Sequence, residues 1–429
     1  MIYTFLLAII LIYLTAKKFK LWSPIFIFSI FIFLQILLYY LFINSLVPEN
    51  AYFMLPIPYD LIGIEKTKTL IFYSSIMFFT LALVFFNKKE YYQANNEDLK
   101  IIENLFNTIP RKPLTLFSFL FLIWTFIYAI DINWTVILKH NEYLAATSAE
   151  KLKLNSTFSL VYNNSLLFIM SFTLFSYFFC LKKKFNLEKN IFLIISLFIF
   201  VILLSRGSRS AMLMVLIYAF CEILILEKKF KVWKIIIYAL ISIQLFTVSI
   251  SIRGADAGGL LNIVPNIFDI TNFSILDKLF FMYQNIFFGV LNFDIGLNYS
   301  PDFSTIHKFL SNSPLLSVID GFREISQEGI YRITVYAPFN SYIEAYHFGI
   351  FFLIYFSILQ IFNIYLVSSK LNTPNFIYYL PSTIFSYLSI IYATQYSVRT
   401  TTKFIFLSYL FILVADYYLK KFAKKTLNK

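Results

Sequence analysis

Long apolar runs recur along the whole chain, and short polar connectors separate them. An α-helix needs about 20 apolar residues to cross about 30 Å of hydrocarbon, and lipid leaves the backbone of open strands without hydrogen-bond partners. The pattern therefore predicts an all-α polytopic membrane protein with about 11 transmembrane helices. Their predicted positions are residues 2–16, 22–43, 69–86, 114–138, 158–181, 191–204, 211–226, 235–252, 340–366, 376–395 and 404–419.

The polar stretches divide these helices into three parts. Residues 1–252 hold helices 1 to 8 with short loops, and residues 253–339 form one large, partly helical periplasmic loop. Residues 340–429 hold helices 9 to 11 and a basic cytoplasmic tail. Within the loop, the apolar run 279–293 is shorter than the roughly 17–25 residues of a span. We predict that it is a helix lying in or dipping into the outer membrane interface.

Composition excludes the soluble globular class and indicates an orientation. Of the 429 residues, 59% are hydrophobic and 14% charged, and the mean hydropathy is +0.73. The basic clusters KKFK, KKKFNLEK, EKKFKVWK and KKFAKK all fall on one side of the membrane if the N-terminus is outside. The positive-inside rule then predicts an N-terminus outside the cytoplasm and a cytoplasmic C-terminus, and the resemblance described below implies that the outer side is the periplasm. The net charge of +13 is mostly this topology signal, and we expect no nucleic-acid partner.

The sequence LLSRGSRSAM, residues 203–212, joins two short predicted helices. Helices of this length do not reach across a 30 Å core, so we expect their shared turn to be recessed below the outer surface. The turn carries Arg206 and Arg209, and guanidinium groups grip phosphates with two parallel hydrogen bonds. It is thus a candidate site for an anionic ligand, and arginines that snorkel to lipid headgroups are the alternative.

Further arginines lie around the predicted loop. Arg253 ends the eighth predicted helix, Arg323 and Arg332 lie near the far end of the loop, and Arg399 lies in the last outer turn. We interpret them as one basic cluster at the outer rim of the helical bundle.

The ninth predicted helix begins with three polar residues at helical spacing. Asn340, Glu344 and His347 are i, i+4 and i+7, which places them on one face. Either Glu344 or His347 could take a proton from a hydroxyl group. A structural hydrogen-bond network between helices would give the same pattern, so both interpretations stay open here.

Several nucleotide and metal motifs are absent from the sequence. It contains no Walker loop, dinucleotide-binding fingerprint, HExxH or CxxC motif, and no Asp-x-Asp pair in an outer loop. We expect no cofactor and no metal ion.

The order of these features resembles the O-antigen polymerases, the Wzy-type oligosaccharide repeat-unit polymerases. The resemblance is carried by the many spans, the S-R-G-S-R turn, the large outer loop and its exit YAPFNSYIEAYHFGIFF. The R-x(10)-G pattern of some members is not reproduced, since Val264 and Ile343 stand eleven residues after Arg253 and Arg332. The resemblance implies a bacterial inner-membrane enzyme that transfers a glycan from one undecaprenyl-diphosphate carrier to a second lipid-linked repeat unit. Its implied partners are this donor and acceptor, membrane lipid and a chain-length regulator protein.

The chemistry implied is a metal-independent glycosyl transfer. Arginines stabilise the diphosphate leaving group without a metal. We expect Glu344 or His347 to activate the acceptor hydroxyl. The residues expected to bind diphosphate or glycan are Arg206, Arg209, Arg253, Arg323, Arg332, Asn340 and Arg399.

Two other functions fit part of the pattern. An O-antigen ligase has the same lipid-diphosphate donor but passes the glycan to lipid A core. A lipid-linked oligosaccharide flippase or transporter would carry charges deep in several helices and have short loops. The predicted charges gather at outer helix ends, which favours an enzyme.

Overall fold

A computed structural model describes residues 2–20, 22–43, 61–86, 111–139, 154, 156–207, 210–225, 232–251, 259–269, 274, 278, 286–313, 339–373 and 375–427. These residues form helices and turns, with no strand among them. The α-helices are α1 Ile2–Lys18, α2 Pro24–Ile43, α3 Lys66–Phe86, α4 Arg111–Asp131, α5 Trp134–Lys139, α6 Thr157–Asn164, α7 Leu166–Lys183, α8 Asn186–Ser205, α9 Ser210–Ile225, α10 Val232–Ser251, α11 Leu260–Phe268, α12 Gly289–Gly296, α13 Thr305–Ser311, α14 Ser341–Phe348, α15 Ile350–Leu371, α16 Leu380–Ala393 and α17 Val398–Leu427. A short 3-10 turn, Phe376–Tyr379, precedes α16.

The prediction of a helical, multi-pass membrane protein is confirmed. Within the described part of the chain, 7 helices are long and apolar enough to cross a membrane. Their apolar stretches are Pro24–Leu41, Lys66–Phe86, Arg111–Asp131, Leu166–Lys183, Asn186–Ser205, Ile350–Leu371 and Val398–Leu419, and Ile236–Ser249 and Leu380–Ala393 are shorter apolar helices. The count of about 11 spans and the side on which the loop lies stay predictions.

Three predicted elements differ from the structure. The helix before the S-R-G-S-R turn, α8, has 20 residues and is therefore about 30 Å long. The prediction that this helix is too short to cross the membrane was wrong, because its first turn begins in the polar segment at Asn186. The predicted span 340–366 is two helices, since Gly349 takes φ 125° and ψ 158° between α14 and α15. A backbone with this φ suits glycine and ends α14.

The third difference concerns the apolar run 279–293. Its described part, from residue 286, continues into α12, and all eight residues of α12 are buried. This part therefore packs against other helices of its unit, which was not predicted. The neighbours of α12 are α2, α3 and α14. The position of the run in, or dipping into, the outer membrane interface stays a prediction.

The chain divides into two compact units. One unit consists of Lys100–Met282, and in it α8 packs against α4 and α7 while α9 packs against α7 and α10. At one end of this unit, the Arg111 Nε donates to Oε1 of the buried Glu188 over 2.8 Å. The chain passes from one unit to the other twice, after Leu99 and after Met282, and the second of these points falls inside the predicted loop.

The other unit consists of Met1–Leu99 and Tyr283–Lys429. Here α1 packs against α2 and α3, and α15 packs against α2, α3, α14, α16 and α17. An aromatic core fixes α14: the rings of Phe72 and Phe293 stack at 4.5 Å, and Tyr342 lies edge-on to Phe72 and Phe356. The Tyr342 hydroxyl donates to Gln360 Oε1 over 2.6 Å. Both contacts orient the residues of α14.

Candidate functional site

The site is built on the short helix α14. Its N-cap is Asn340, whose Oδ1 accepts the Ile343 N–H over 2.9 Å and whose Nδ2 donates to the Gly289 carbonyl over 2.8 Å. The Asn340 N–H also donates to Asn292 Oδ1 over 3.0 Å. The side chain is fully buried. In this structure Asn340 therefore joins α14 to α12, and its role in binding a glycan stays a prediction.

The two candidate bases, Glu344 and His347, contact different partners. His347 Nε2 lies 2.9 Å from the Gly296 carbonyl of α12, and its ring stacks on Phe339 at 5.4 Å. Glu344 is directed to the start of α17, where its Oε2 accepts the Val398 N–H over 2.5 Å. Both side chains were predicted to lie on a membrane-spanning helix. Because α14 ends at Gly349, they instead belong to a short helix.

Burial affects the protonation of His347. It lowers the pKa of the imidazole below its usual value, because the charged form loses hydration, while the Gly296 carbonyl has the opposite effect. A carbonyl can only accept, so Nε2 carries the proton and donates it. The neutral ring therefore keeps its lone pair on Nδ1, where it can accept a proton.

Glu344 has a second partner that the sequence pattern does not indicate. Its Oε1 lies 3.4 Å from Nε2 of His307 on α13, and the two side chains are 4% and 5% exposed. Ser311 Oγ lies 3.4 Å from the same nitrogen. The structure thus joins a carboxylate and an imidazole that are 37 residues apart in the chain.

The start of α17 is held tightly against α14. Ser341 Oγ lies 2.7 Å from both the Tyr396 carbonyl and Thr401 Oγ1. Arg399 follows Val398, the residue whose N–H binds Glu344, and its side chain is 8% exposed. The structure therefore brings together Asn340, Glu344, His347 and Arg399 in one unit and adds His307 to them.

A second acid, Asp294, is fully buried on α12. Its Oδ2 accepts the Gly63 N–H over 2.6 Å. Burial raises the pKa of this carboxyl, while the backbone N–H of Gly63 and the Tyr39 hydroxyl lower it. No spacing pattern in the sequence points to Asp294, because it is a lone acid in an apolar stretch.

Arg206 lies in the unit Lys100–Met282. Its Nη2 donates to the Tyr128 hydroxyl and to Asn163 Oδ1, both over 2.7 Å, and the side chain is 7% exposed. Its Nε is buried and makes no hydrogen bond within the described chain. The alternative that this arginine snorkels to lipid headgroups was wrong, because the guanidinium is held inside its unit by polar side chains.

Four predicted binding residues, Arg209, Arg253, Arg323 and Arg332, lie outside the described residues. The described part of the chain contains no group of three or more His, Cys, Asp or Glu side chains that could hold a metal ion.

The chain was compared with known proteins in three ways. No protein-family model, no curated protein and no solved structure matches it.

Proposed function

We propose that the chain is a glycosyltransferase that polymerises undecaprenyl-diphosphate-linked oligosaccharide repeat units at the periplasmic face of a bacterial inner membrane. Its product is O-antigen or a related surface polysaccharide. The proposal includes a membrane domain of about 11 spans, a large periplasmic loop and a cytoplasmic C-terminus.

One observation carries the proposal: Glu344 is buried between the Val398 N–H and the His307 imidazole, one residue away from the buried Arg399. Ionisable groups are costly in a membrane protein and are retained where they bind or react. Transfer to a sugar hydroxyl needs a proton acceptor, and departure of a lipid diphosphate needs a cation. This cluster contains both kinds of group.

The proposed reaction needs only groups of this kind. Glu344 or His347 activates the acceptor hydroxyl, and Arg399 stabilises negative charge on the leaving diphosphate. Arg206 and the four arginines outside the described residues keep their predicted roles in holding diphosphate or sugar. No metal ion takes part.

The gene-deletion phenotype tests this function. Loss of a polymerase leaves lipopolysaccharide capped with a single repeat unit, and re-expression of the chain restores the ladder of longer glycans. Uncapped lipid A core after deletion would instead identify a ligase. Repeat units that remain on the cytoplasmic face would identify a transporter. Either of these two results would contradict the proposal.

A further inference from the structure

His307 lies on α13, and two aromatic rings pack against its imidazole. Its imidazole stacks on Phe303 with the ring centroids 5.3 Å apart and an interplanar angle of 11°. Phe348 of α14 lies edge-on to it at 5.7 Å. These two rings fix the plane of the imidazole, and the side chain is 5% exposed.

The two nitrogens of this ring have different surroundings. Nε2 lies 3.4 Å from Glu344 Oε1 and 3.4 Å from Ser311 Oγ. An ionised carboxylate can only accept, so Nε2 carries the proton of the neutral ring. Nδ1 then holds the lone pair, and it is buried and makes no hydrogen bond within the described chain.

An unsatisfied buried acceptor is costly. A buried acceptor without a protein partner is therefore a candidate for contact with a ligand. The second oxygen of the Glu344 carboxylate accepts the Val398 N–H, which holds the carboxylate in place. The contact between this carboxylate and Nε2 therefore restricts rotation of the His307 ring. The arrangement thus fixes the position of Nδ1 and its lone pair, in a ring whose other nitrogen contacts the Glu344 carboxylate.

The charges around His307 come from two elements. Glu344 on α14 faces Nε2, and Arg399 and Lys403 lie in the first two turns of α17, the helix that packs against α13. Of these groups, the Glu344 carboxylate is the one in contact with the His307 ring.

We propose that His307, in place of Glu344 or His347, is the proton acceptor of the glycosyl transfer and that Glu344 is its positioning residue. This inference rests on the proposed function. The acceptor hydroxyl oxygen forms the new bond to the anomeric carbon of the donor, and the bond from that carbon to the diphosphate oxygen breaks. The electron pair of the broken bond leaves with the lipid diphosphate, and the hydroxyl proton moves to Nδ1 of His307. Glu344 stabilises the imidazolium that forms.

Reconstituted protein and lipid-linked repeat units test this assignment. We expect His307→Gln to lower the rate of glycan elongation by about 10²–10⁴-fold. The matched control is Lys308→Gln on the same helix, for which we expect a rate within about twofold of the wild type. The hydrogen bonds of Lys308 to Ser304 and Asn312 are made by its backbone, so the substitution keeps them. Glu344→Gln should lower kcat and leave KM for the acceptor unchanged, because the carboxylate acts through His307.

A second measurement is made on the wild-type protein and requires no activity, and the variant serves only to assign the signal. The chain has three histidines, so ¹⁵N-histidine labelling gives few signals, and the one missing in His307→Gln belongs to His307. At neutral pH we expect this signal to show a proton on Nε2 and no proton on Nδ1. A proton on Nδ1 of the neutral ring would overturn the assignment even if the variant failed to fold.

The outcomes separate this inference from the proposed function. Wild-type protein that elongates no glycan would overturn both. Equal elongation by wild type and His307→Gln would overturn the role of His307 alone. Elongation that is lost in His307→Gln and retained in Lys308→Gln, together with an Nδ1 that carries no proton, is the result that supports the proposal.

Discussion

Glu188 and Glu344 are both buried carboxylates, and their partners differ. Glu188 accepts hydrogen bonds from Arg111 Nε at 2.8 Å and Nη2 at 3.1 Å, and from the Thr115 hydroxyl at 2.6 Å. Glu344 accepts a backbone N–H and faces the imidazole of His307. Glu188 is satisfied by a permanent cation, which is typical of a structural ion pair. Glu344 faces an imidazole, a side chain that can be neutral or protonated.

The comparison shows that burial alone does not identify a reactive carboxylate. A bidentate guanidinium holds Glu188 in a single state, because arginine does not lose its proton in proteins. The imidazole next to Glu344 can change its charge, so the pair can exist in two states. The partner, and not the degree of burial, separates the two roles.

The largest effect is expected at Glu344. The substitution Glu344→Gln keeps an oxygen that accepts the Val398 N–H but removes the negative charge. We expect the variant to fold and its rate of elongation to be reduced by about 10²–10⁴-fold. In cells that produce only this variant, the glycans should then consist of single repeat units. The glycan ladder is read on gels at matched expression. A complete glycan ladder from this variant would show that elongation does not need the Glu344 carboxylate.

At Glu188 we expect a loss of stability without a loss of elongation. Glu188→Ala removes hydrogen bonds to a charged partner, and we expect a loss of about 1.5–3 kcal/mol in the free energy of unfolding. Unfolding is followed by titration with a denaturing detergent. Elongation per folded molecule should remain at the wild-type rate. Lost elongation with unchanged stability would show that Glu188 and Glu344 do not differ as described.

A smaller effect is expected at Tyr128, whose hydroxyl accepts from Arg206 Nη2. Tyr128→Phe removes one of the groups that hold the guanidinium, at a cost of about 0.5–1.5 kcal/mol. We expect up to about a tenfold rise in KM for the lipid-linked donor.

The matched control for Tyr128 is Tyr162→Phe. The Tyr162 hydroxyl bonds with Thr125 Oγ1 at 2.8 Å, and its ring stacks on that of Tyr128 at 4.7 Å. Its loss changes packing and hydrogen bonding nearby without removing a partner of Arg206, so we expect an unchanged KM. Equal changes in the two variants would argue against a binding role for Arg206.

The smallest effect concerns pH and His347. Its pKa is lowered in the folded protein by burial, so the unfolded chain binds more protons between this value and the usual pKa of about 6.5. The contribution of His347 to stability is therefore complete above about pH 6.5 and is lost as the pH falls below it. We expect the thermal midpoint of the wild type to fall more between pH 7.5 and pH 5 than that of His347→Gln. An equal fall in both would contradict this.

The apolar pattern predicted much of the fold. Runs of apolar residues indicated the described helices well, because lipid and core both require them. The break at Gly349 was missed, since a single glycine within an apolar run is tolerated in helices and only its φ of 125° ends α14. The beginning of α8 at Asn186 was missed because its first turn is polar.

The site was predictable only in part. Helical spacing singled out Glu344 and His347 together, although they contact different elements. His307 was not predictable, because its pairing with Glu344 depends on how α13 packs and no local pattern reports this contact. Asp294 is a similar case, since it is bonded to Gly63, a residue 231 positions away.

Elongation by purified protein tests the central claim most directly. The wild type and Glu344→Gln are reconstituted into liposomes with undecaprenyl-diphosphate-linked repeat units, a metal chelator and no ion gradient. We predict that the wild type produces lipid-linked glycans of increasing length and that Glu344→Gln, folded to the same extent, produces almost none. Wild-type protein that leaves every repeat unit at its original length, or a variant that matches the wild type, would contradict the account.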